Sequence, residues 1–540
     1  MLKNNALSIK AGSLAMITSV GSMLSGCAGR EKPYVERLNI IYIMTDDHAQ
    51  QMISAYNSKY GHTPNIDRLA EEGVRFTNSF VTNSICGPSR ACLLTGKHSH
   101  KNGKINNEVA FDGSQQTFPK LLQQGGYQTA LIGKWHLEST PTGFDHWEIL
   151  PGQGDYYNPV FFNDQDTVQR MGYATDIITS LSIEWLEHYD QSKPFSLFIH
   201  HKAPHRNWMP NLPDLCVYED REFDLPENFH DTYEGREAAR AAEMRIASNH
   251  DMDPLNDLKV YDGTQSSRLR GNYDVGDSLG QYGRMTPEQK AEWNRYYSGV
   301  VSDFYARERS GKELAEWKYQ RYIKDYLRTC KSVDDNIGIL LDYLEESGLL
   351  ESTIIVYTSD QGFYVGEHGW FDKRFMYEES LRTPLLVRLP DRFSHYRGDV
   401  TQLVQNIDHA PTFLELAGVE IPSDIQGQSY LPLLKGENPS TWRKAIYYHY
   451  QEYPAEHMVK RHYGIRDQRY KLIHFYQDID AWEFYDLEKD PAEMHNLIKD
   501  PAYQDEIARI KEDLLKLLEQ YDDPIRKVFS KDEIMKVVAD

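Results

Sequence analysis

The chain has 540 residues, 40% of them hydrophobic and 26% charged, with a formal net charge of −22. That length exceeds what one compact core fills, and the composition is that of a globular protein without long disordered stretches, so two domains, or one large domain with an appendage, are expected. The acidic balance argues against nucleic acid or an anionic membrane surface as a general partner, and an anionic substrate would need cations or a metal gathered locally.

The N-terminus has its own grammar. Lys3 and Lys10 precede an apolar, small-residue stretch from Ala11 to Leu24 that is too short for a membrane span and runs into Leu24-Ser25-Gly26-Cys27. This resembles a bacterial lipobox. It implies a lipoprotein signal peptide over 1–26, lipidation of Cys27, a tether over 27–37 and anchoring to a membrane through the lipid; an ordinary secretory signal with a chance cysteine is the alternative. The short "AGREKP" after Cys27 carries no clear surface-export signal, so a periplasmic location is expected ahead of the cell surface. Export permits disulfides, but with Cys27 and Cys86 set apart, Cys92, Cys216 and Cys330 are an odd, scattered trio. The core must hold the fold.

Next, "LNIIYIMTDD" (38–47) is an isoleucine-rich run that ends abruptly in two aspartates, the pattern of a strand buried on both faces. "TALIGKWH" (129–136), "FSLFIHHKAPH" (195–205) and "TIIVYTSDQG" (353–362) repeat it, each ending in chemically capable residues. Helix-like stretches at 63–74, 117–126 and 326–348 lie between them, so the expected class is α/β, a large, mainly parallel or mixed sheet flanked by helices. In such sheets ligands gather beyond the carboxyl ends of the strands, where all four polar clusters fall. This catalytic-looking domain is expected over 38–440, with a charged, tyrosine-rich insertion at about 210–325 that is helical in parts. From 441 to 540 the pattern becomes antiparallel strands with an "EKDP" turn and a closing helix at 506–521, a smaller α+β subdomain.

Asp46 and Asp47 alone read equally well as a helix cap and its neighbour. Joined by Asp360 and Gln361 after a second strand, they make a hard oxygen cage suited to Ca²⁺ or Mg²⁺. The stretch "VTNSICGPSRACLLTGK" (81–97) places Cys86 where a helix begins and Gly96 where it stops. A helix N-terminus favours a developing anion, and Arg90 adds a fixed charge one turn on. Cys86 then reads as a buried structural cysteine or as a thiolate nucleophile, although no known catalytic-cysteine context surrounds it.

Cys86-x-Pro88-Ser89-Arg90 with its "ACLLTGK" tail resembles the signature of type I, formylglycine-dependent sulfatases of the alkaline phosphatase superfamily. "MTDD" (44–47), "GKWH" (133–136), "KAPHRNW" (202–208), "SDQG" (359–362) and "EESLRTPLLVR" (378–388) extend the resemblance, in order, over roughly 38–500. It implies an alkaline phosphatase-like fold and conversion of Cys86 to formylglycine by a sulfatase-maturating enzyme. It also implies one Ca²⁺ held by Asp46, Asp47, Asp360, Gln361 and the modified residue 86. Gln361 stands where many relatives have asparagine, and either supplies an amide oxygen. Arg90 and Lys134 would hold the hydrated aldehyde with His136 hydrogen-bonded to it, while His205 and Lys373 would contact the sulfate and the leaving group. His136 as a core histidine and Lys373 as a solvated lysine remain the alternatives, and His200 and His201 read as structural.

"GQGDYYNP" (152–159), "APHRNWMP" (203–210) and "KRFMYEESLRTP" (373–384) resemble exported bacterial sulfatases acting on glycans, particularly N-acetylglucosamine-6-sulfatases. The expected substrate is therefore a sulfated glycan. His457, Arg461 and His462 are close in sequence and polar enough to read sugar hydroxyls, or simply to be solvated. Another sulfated sugar, a phosphate or phosphonate ester on the same scaffold, and a silent glycan-binding lipoprotein are the competing readings.

Overall fold

The computed structural model describes residues 37–260 and 280–538, so the signal peptide, Cys27 and nearly all of the tether lie outside the described residues. The first strand, β1 (Asn39–Thr45), is buried at all seven positions. Its residues alternate between two cores: Ile40, Tyr42 and Met44 face one layer of helices, Ile41 and Ile43 the other. That explains a continuous apolar run instead of an apolar–polar alternation.

The other strands of the main sheet are β2 (Val74–Phe76), β3 (Gln128–Lys134), β4 (His146–Leu150), β5 (Val160–Phe162), β6 (Thr167–Gln169), β7 (Phe195–His200), β8 (Thr353–Ser359), β9 (Leu385–Arg388) and β10 (Gly398–Val400). The ten strands run in the order β10-β2-β9-β8-β1-β7-β3-β4-β5-β6. The middle five, β8 to β4, are mutually parallel, and antiparallel pairings appear toward both edges. The sheet is therefore mixed, with a parallel centre whose carboxyl ends all open on one side.

One departure from the sequence reading concerns the insertion. The helix expected from 326 begins at Gly311 and runs to Glu346, so an insertion ending at 325 would cut through its first turns. Its opening is dense in charge, yet Lys318 is buried and donates to the Ser248 and Met252 carbonyls, both at 3.0 Å. Arg321 and Arg328 are buried too, paired with Asp325 and Glu219. Buried charge of this kind hides the apolar face that a helix otherwise shows. The helix Pro287–Ala306 is announced more openly, by a Thr286–Gln289 capping box with proline in its first turn.

Four antiparallel strands, β11 (Ala445–Tyr450), β12 (His462–Asp467), β13 (Tyr470–Phe475) and β14 (Ala481–Asp486), form a second sheet. One face packs against the helix Gln504–Gln520 through Ile507, Ile510, Leu514 and Leu518. The other packs against Phe80, Trp370, Phe375 and Tyr377 of the part that carries the main sheet, so the two share a core.

Gly133, the penultimate residue of β3, has φ 107°, and a Cβ there would stand 2.0 Å from the His200 carbonyl oxygen of β7. Gly133→Ala is expected to destabilise the protein by at least ~2 kcal/mol through strain and loss of strand contact, read as a lower denaturant midpoint.

Candidate active site

Strand register builds the centre of the site. Thr45 is opposite Ser359, and His200 is opposite both Met44 and Gly133. Asp46, Asp360 and Lys134 therefore leave three parallel strands at one level. Asp47 turns back with φ 68°, and its N–H donates to Asp360 Oδ1 at 3.2 Å. Oxygens of Asp46, Asp47 and Asp360 all lie within 4.8 Å of one another, and all three residues are buried.

The helix Cys86–Thr95 points its N-terminus at this cluster, with Ile85 extended before it and Gly96 left-handed (φ 66°) after it. Cys86 Sγ donates to Asp46 Oδ1 at 3.4 Å, and Gln361 Nε2 lies 3.9 Å from the sulfur. Burial pushes the Cys86 thiol well above its ordinary range, more than nearby Lys373 and Lys134 lower it, so the residue is no thiolate nucleophile as it stands. Arg90 reaches back from the first turn to donate to Asp360 Oδ2 from Nη2 (2.9 Å) and Nε (3.1 Å), and to the Lys134 carbonyl at 3.0 Å.

The remaining cations meet the same carboxylates. Lys134 Nζ donates to Asp46 Oδ2 and Gln153 Oε1. Lys373 Nζ donates to both oxygens of Asp47 at 2.7 Å, and His205 Nε2 lies 3.7 Å from Asp47 Oδ2. Burial, reinforced by Lys134, keeps His136 far below the ordinary histidine range, and its Nδ1 has no hydrogen-bond partner. Burial also lowers His205, whose Nδ1 donates to the Arg206 carbonyl at 2.8 Å and leaves Nε2 as the acceptor of a neutral ring. Cys86, His136, His205, Asp372, Lys373 and Arg374 line one cavity of about 680 Å³.

The sulfatase family model matches residues 38–419, and the model described as N-sulphoglucosamine sulphohydrolase, C-terminal, matches 366–520. The chain belongs to the sulfatase family. It is 52% identical over 504 residues to an N-acetylglucosamine-6-O-sulfatase of Bacteroides thetaiotaomicron, covering 92% of this chain and 88% of that one. It is 26% identical over 461 residues to the human N-acetylglucosamine-6-sulfatase, covering 79% and 70%. A solved structure of a protein in complex with its substrate D-glucosamine-2-N,6-O-disulfate superposes with a TM-score of 0.86 at 51% identity, over 90% of this chain and 98% of that one.

Sulfatases generally use a divalent metal and a formylglycine, and the donors present fit a hard cation. Besides three carboxylates, the buried Gln361 offers Oε1, which has no hydrogen-bond partner. Without an ion the cluster is costly. Burial pushes Asp47 up to about 8 against the pull of Lys373, and burial with Asp46 beside it pushes Asp360 up to about 6. Asp46 goes the other way: burial opposes its ionisation, but Lys134 and Arg90 hold it well below the carboxylate range.

Of the sequence-predicted substrate contacts, the structure separates three that were grouped. His457 lies behind the cavity wall, its Nε2 3.3 Å from Asp372 Oδ2 and its Nδ1 donating to the Glu243 carbonyl at 2.7 Å. His462 does not reach the cavity, which corrects that expectation. Its Nδ1 donates to the Lys460 carbonyl at 2.7 Å, its Nε2 accepts the Met376 N–H at 3.1 Å, and its ring is buried among aromatics. Arg461 pairs with Asp478 at 3.0 Å, donates to the Gln451 carbonyl and lines a neighbouring cavity that shares Glu108, Glu452 and Ala455 with the first. Asp372, Arg374 and Gln153 are site residues that the sequence reading passed over. The signal for the first two was "WFDKRFMY", three charges enclosed by aromatics.

Asp47 and Asp360, raised in the metal-free protein, must lose protons when a cation binds. Affinity for Ca²⁺ or Mg²⁺ is expected to fall as pH drops from about 8 to about 6. The sign for stability is the reverse: without the ion the folded chain holds protons that the unfolded chain has released, so stability declines as pH rises toward 8. Calorimetry in buffers of different ionisation enthalpy and metal-free melting curves check both.

Proposed function

We propose that the chain hydrolyses sulfate esters on glycans, removing the 6-O-sulfate from N-acetylglucosamine or its N-sulfated counterpart, through a formylglycine made from Cys86 and one Ca²⁺. The observation that carries the reading is Cys86 at a helix N-terminus, 3.4 Å from a buried carboxylate and facing a cavity walled by His136, His205 and Lys373. It is supported by half-identity to a named N-acetylglucosamine-6-O-sulfatase over nearly the whole chain. The formylglycine would supply a hydrated-aldehyde oxygen as nucleophile, and the ion, held by Asp46, Asp47, Asp360 and Gln361, Lewis acidity toward the sulfate oxygens.

The chain's own residues have the following roles in this reading. Arg90 holds Asp360 in place and keeps its charge beside residue 86. Lys134 and Lys373 stabilise the negative charge that grows on the sulfuryl group. His136, neutral and with a free Nδ1, accepts a proton from the nucleophile's hydroxyl. His205 presents Nε2 to the cavity and delivers a proton to the departing sugar oxygen once the anionic substrate has raised its basicity. Arg374 pairs with Asp372 at 3.2 Å and with Glu452 at 3.2 Å, a fixed fork suited to sugar hydroxyls, with His457 positioning Asp372 from behind. The cavity is of a size for one or two sugar rings.

Cys86 is 1% exposed, so a sulfatase-maturating enzyme must meet this segment before the domain closes over it. Export, a lipid anchor at Cys27 and a periplasmic location complete the proposal and rest on the leader sequence alone.

Sulfate release from N-acetylglucosamine-6-sulfate is the test, with protein co-produced with a formylglycine-generating system in Ca²⁺. Cys86→Ala is expected to lose at least ~10³-fold in kcat/KM. His205→Ala is expected to lose ~10²–10⁴-fold, mostly in kcat. Arg374→Ala is expected to act mainly through KM. No release from protein shown by mass spectrometry to carry formylglycine would sink the substrate assignment and turn attention to other sulfated sugars and phosphate diesters.

A further inference from the structure

Away from the cleft, three side chains from three separate segments converge on one point. His100 lies in the short helix Ser99–Asn102, His449 in β11, and Asp523 just beyond the C-terminal helix that ends at Gln520. One donor atom from each lies within 4.8 Å of the other two. Nδ1 of His100 is 3.0 Å from Asp523 Oδ2, and Nδ1 of His449 donates a hydrogen bond to the same oxygen at 2.8 Å, a proton that an ion would displace.

The outer nitrogen of each ring is fixed by an oxygen: His100 Nε2 lies 2.9 Å from the Tyr521 carbonyl and His449 Nε2 2.7 Å from the Tyr476 hydroxyl. A carbonyl only accepts, so His100 carries its proton on Nε2, and in the neutral ring Nδ1 is a lone pair aimed at a carboxylate oxygen. That nitrogen has no hydrogen-bond partner, and the His100 side chain is 2% exposed. Two electron-pair donors at such a distance repel unless a cation lies between them. Asp523 is oriented in turn, Oδ2 accepting from the Tyr447 hydroxyl at 2.9 Å and Oδ1 from the Ile525 N–H at 2.8 Å. Ligand imidazoles with their outer nitrogens held, and a ligand carboxylate with its own hydrogen bonds, form the surroundings of a metal centre.

We propose that His100, His449 and Asp523 bind one divalent transition ion of the Zn²⁺ type, a staple between the C-terminal sheet and the helix Ser99–Asn102. Two imidazoles select such an ion over Ca²⁺, which the all-oxygen cluster of the active site prefers. A cavity of about 550 Å³, lined by His449, Tyr476, Pro524 and Ile525, adjoins the cluster on the His449 side.

Co²⁺ is the probe, added to chelator-stripped full-length protein. Wild type should develop an intense visible ligand-field band saturating at one Co²⁺ per chain and bleached by Zn²⁺. The Asp46→Asn/Asp360→Asn protein should keep that band, whereas His100→Gln and His449→Gln should each lose it. A stripped wild type without the band, its loss in the Asp46→Asn/Asp360→Asn protein, or its full retention in both histidine variants would overturn the proposal; the first result would mean that a proton bridges His100 and Asp523. Should the histidine variants fail to fold by circular dichroism, the wild type and the Asp46→Asn/Asp360→Asn protein decide it alone.

Discussion

Three carboxylates buried at the ends of two adjacent parallel strands are the constraint around which the site is built. Register fixes Asp46 beside Asp360, and the turn at Asp47 adds the third. Removing an isolated carboxylate from water is prohibitive, so each needs a partner of opposite sign or a proton. Lys134 arrives from the neighbouring strand, Arg90 from the helix below and Lys373 from a loop of the far half. Each of these arrivals imposes a demand of its own, as when β3 can deliver Lys134 only because Gly133 lets it pass the His200 carbonyl.

The C-terminal sheet matters to the site through that last lysine. Asp372 and Arg374, which flank it, have φ 75° and 97°, a backbone course that non-glycine residues hold only when their surroundings enforce it. The enforcement is aromatic. Trp370 stacks on Phe375 at 5.1 Å, and Phe375 packs on His462 at 5.8 Å and Phe475 at 6.0 Å, all buried. His462 is therefore a supporting wall for the segment that carries Asp372, Lys373 and Arg374, and its imidazole fixes the Met376 N–H as well.

What the sequence disclosed and what it concealed follow from one asymmetry. An apolar run ending in acids is visible because both halves of the pattern obey local rules, so β1 and β8 could be read with the aspartates at their ends. The helix behind Cys86 was legible to its last residue because Gly96 is its left-handed stop. Charge that is buried obeys no local rule. The opening turns of the helix Gly311–Glu346 and the pair Asp372–Arg374 look like solvated surface, because their partners lie far away in sequence or in another element. His462 and Arg461 illustrate the converse: adjacent in sequence, one is packed among aromatics and the other lines a cavity beside a carboxylate, a distinction that polarity alone does not make.

The acidic bulk of the chain makes the sign of the site's charge a question in its own right. Arg90, Lys134, Lys373 and Arg374 are each already paired, with Asp360, Asp46, Asp47 and Asp372 respectively. With every one of these carboxylates ionised, four charges of each sign leave no surplus to attract a sulfate monoanion into a protein of net charge −22. On the proposed reading, the Asp46 and Asp47 carboxylates that engage the lysines would also hold the divalent ion, so the two kinds of cation would compete for one set of oxygens. Carboxylates satisfied by the ion would no longer need Lys134 and Lys373, whose ammonium groups would be free to turn toward the substrate. Metal binding would therefore do more than add two charges. It would free two internally consumed cations to face the substrate, so that a buried, balanced cluster in an acidic protein would become a positive site.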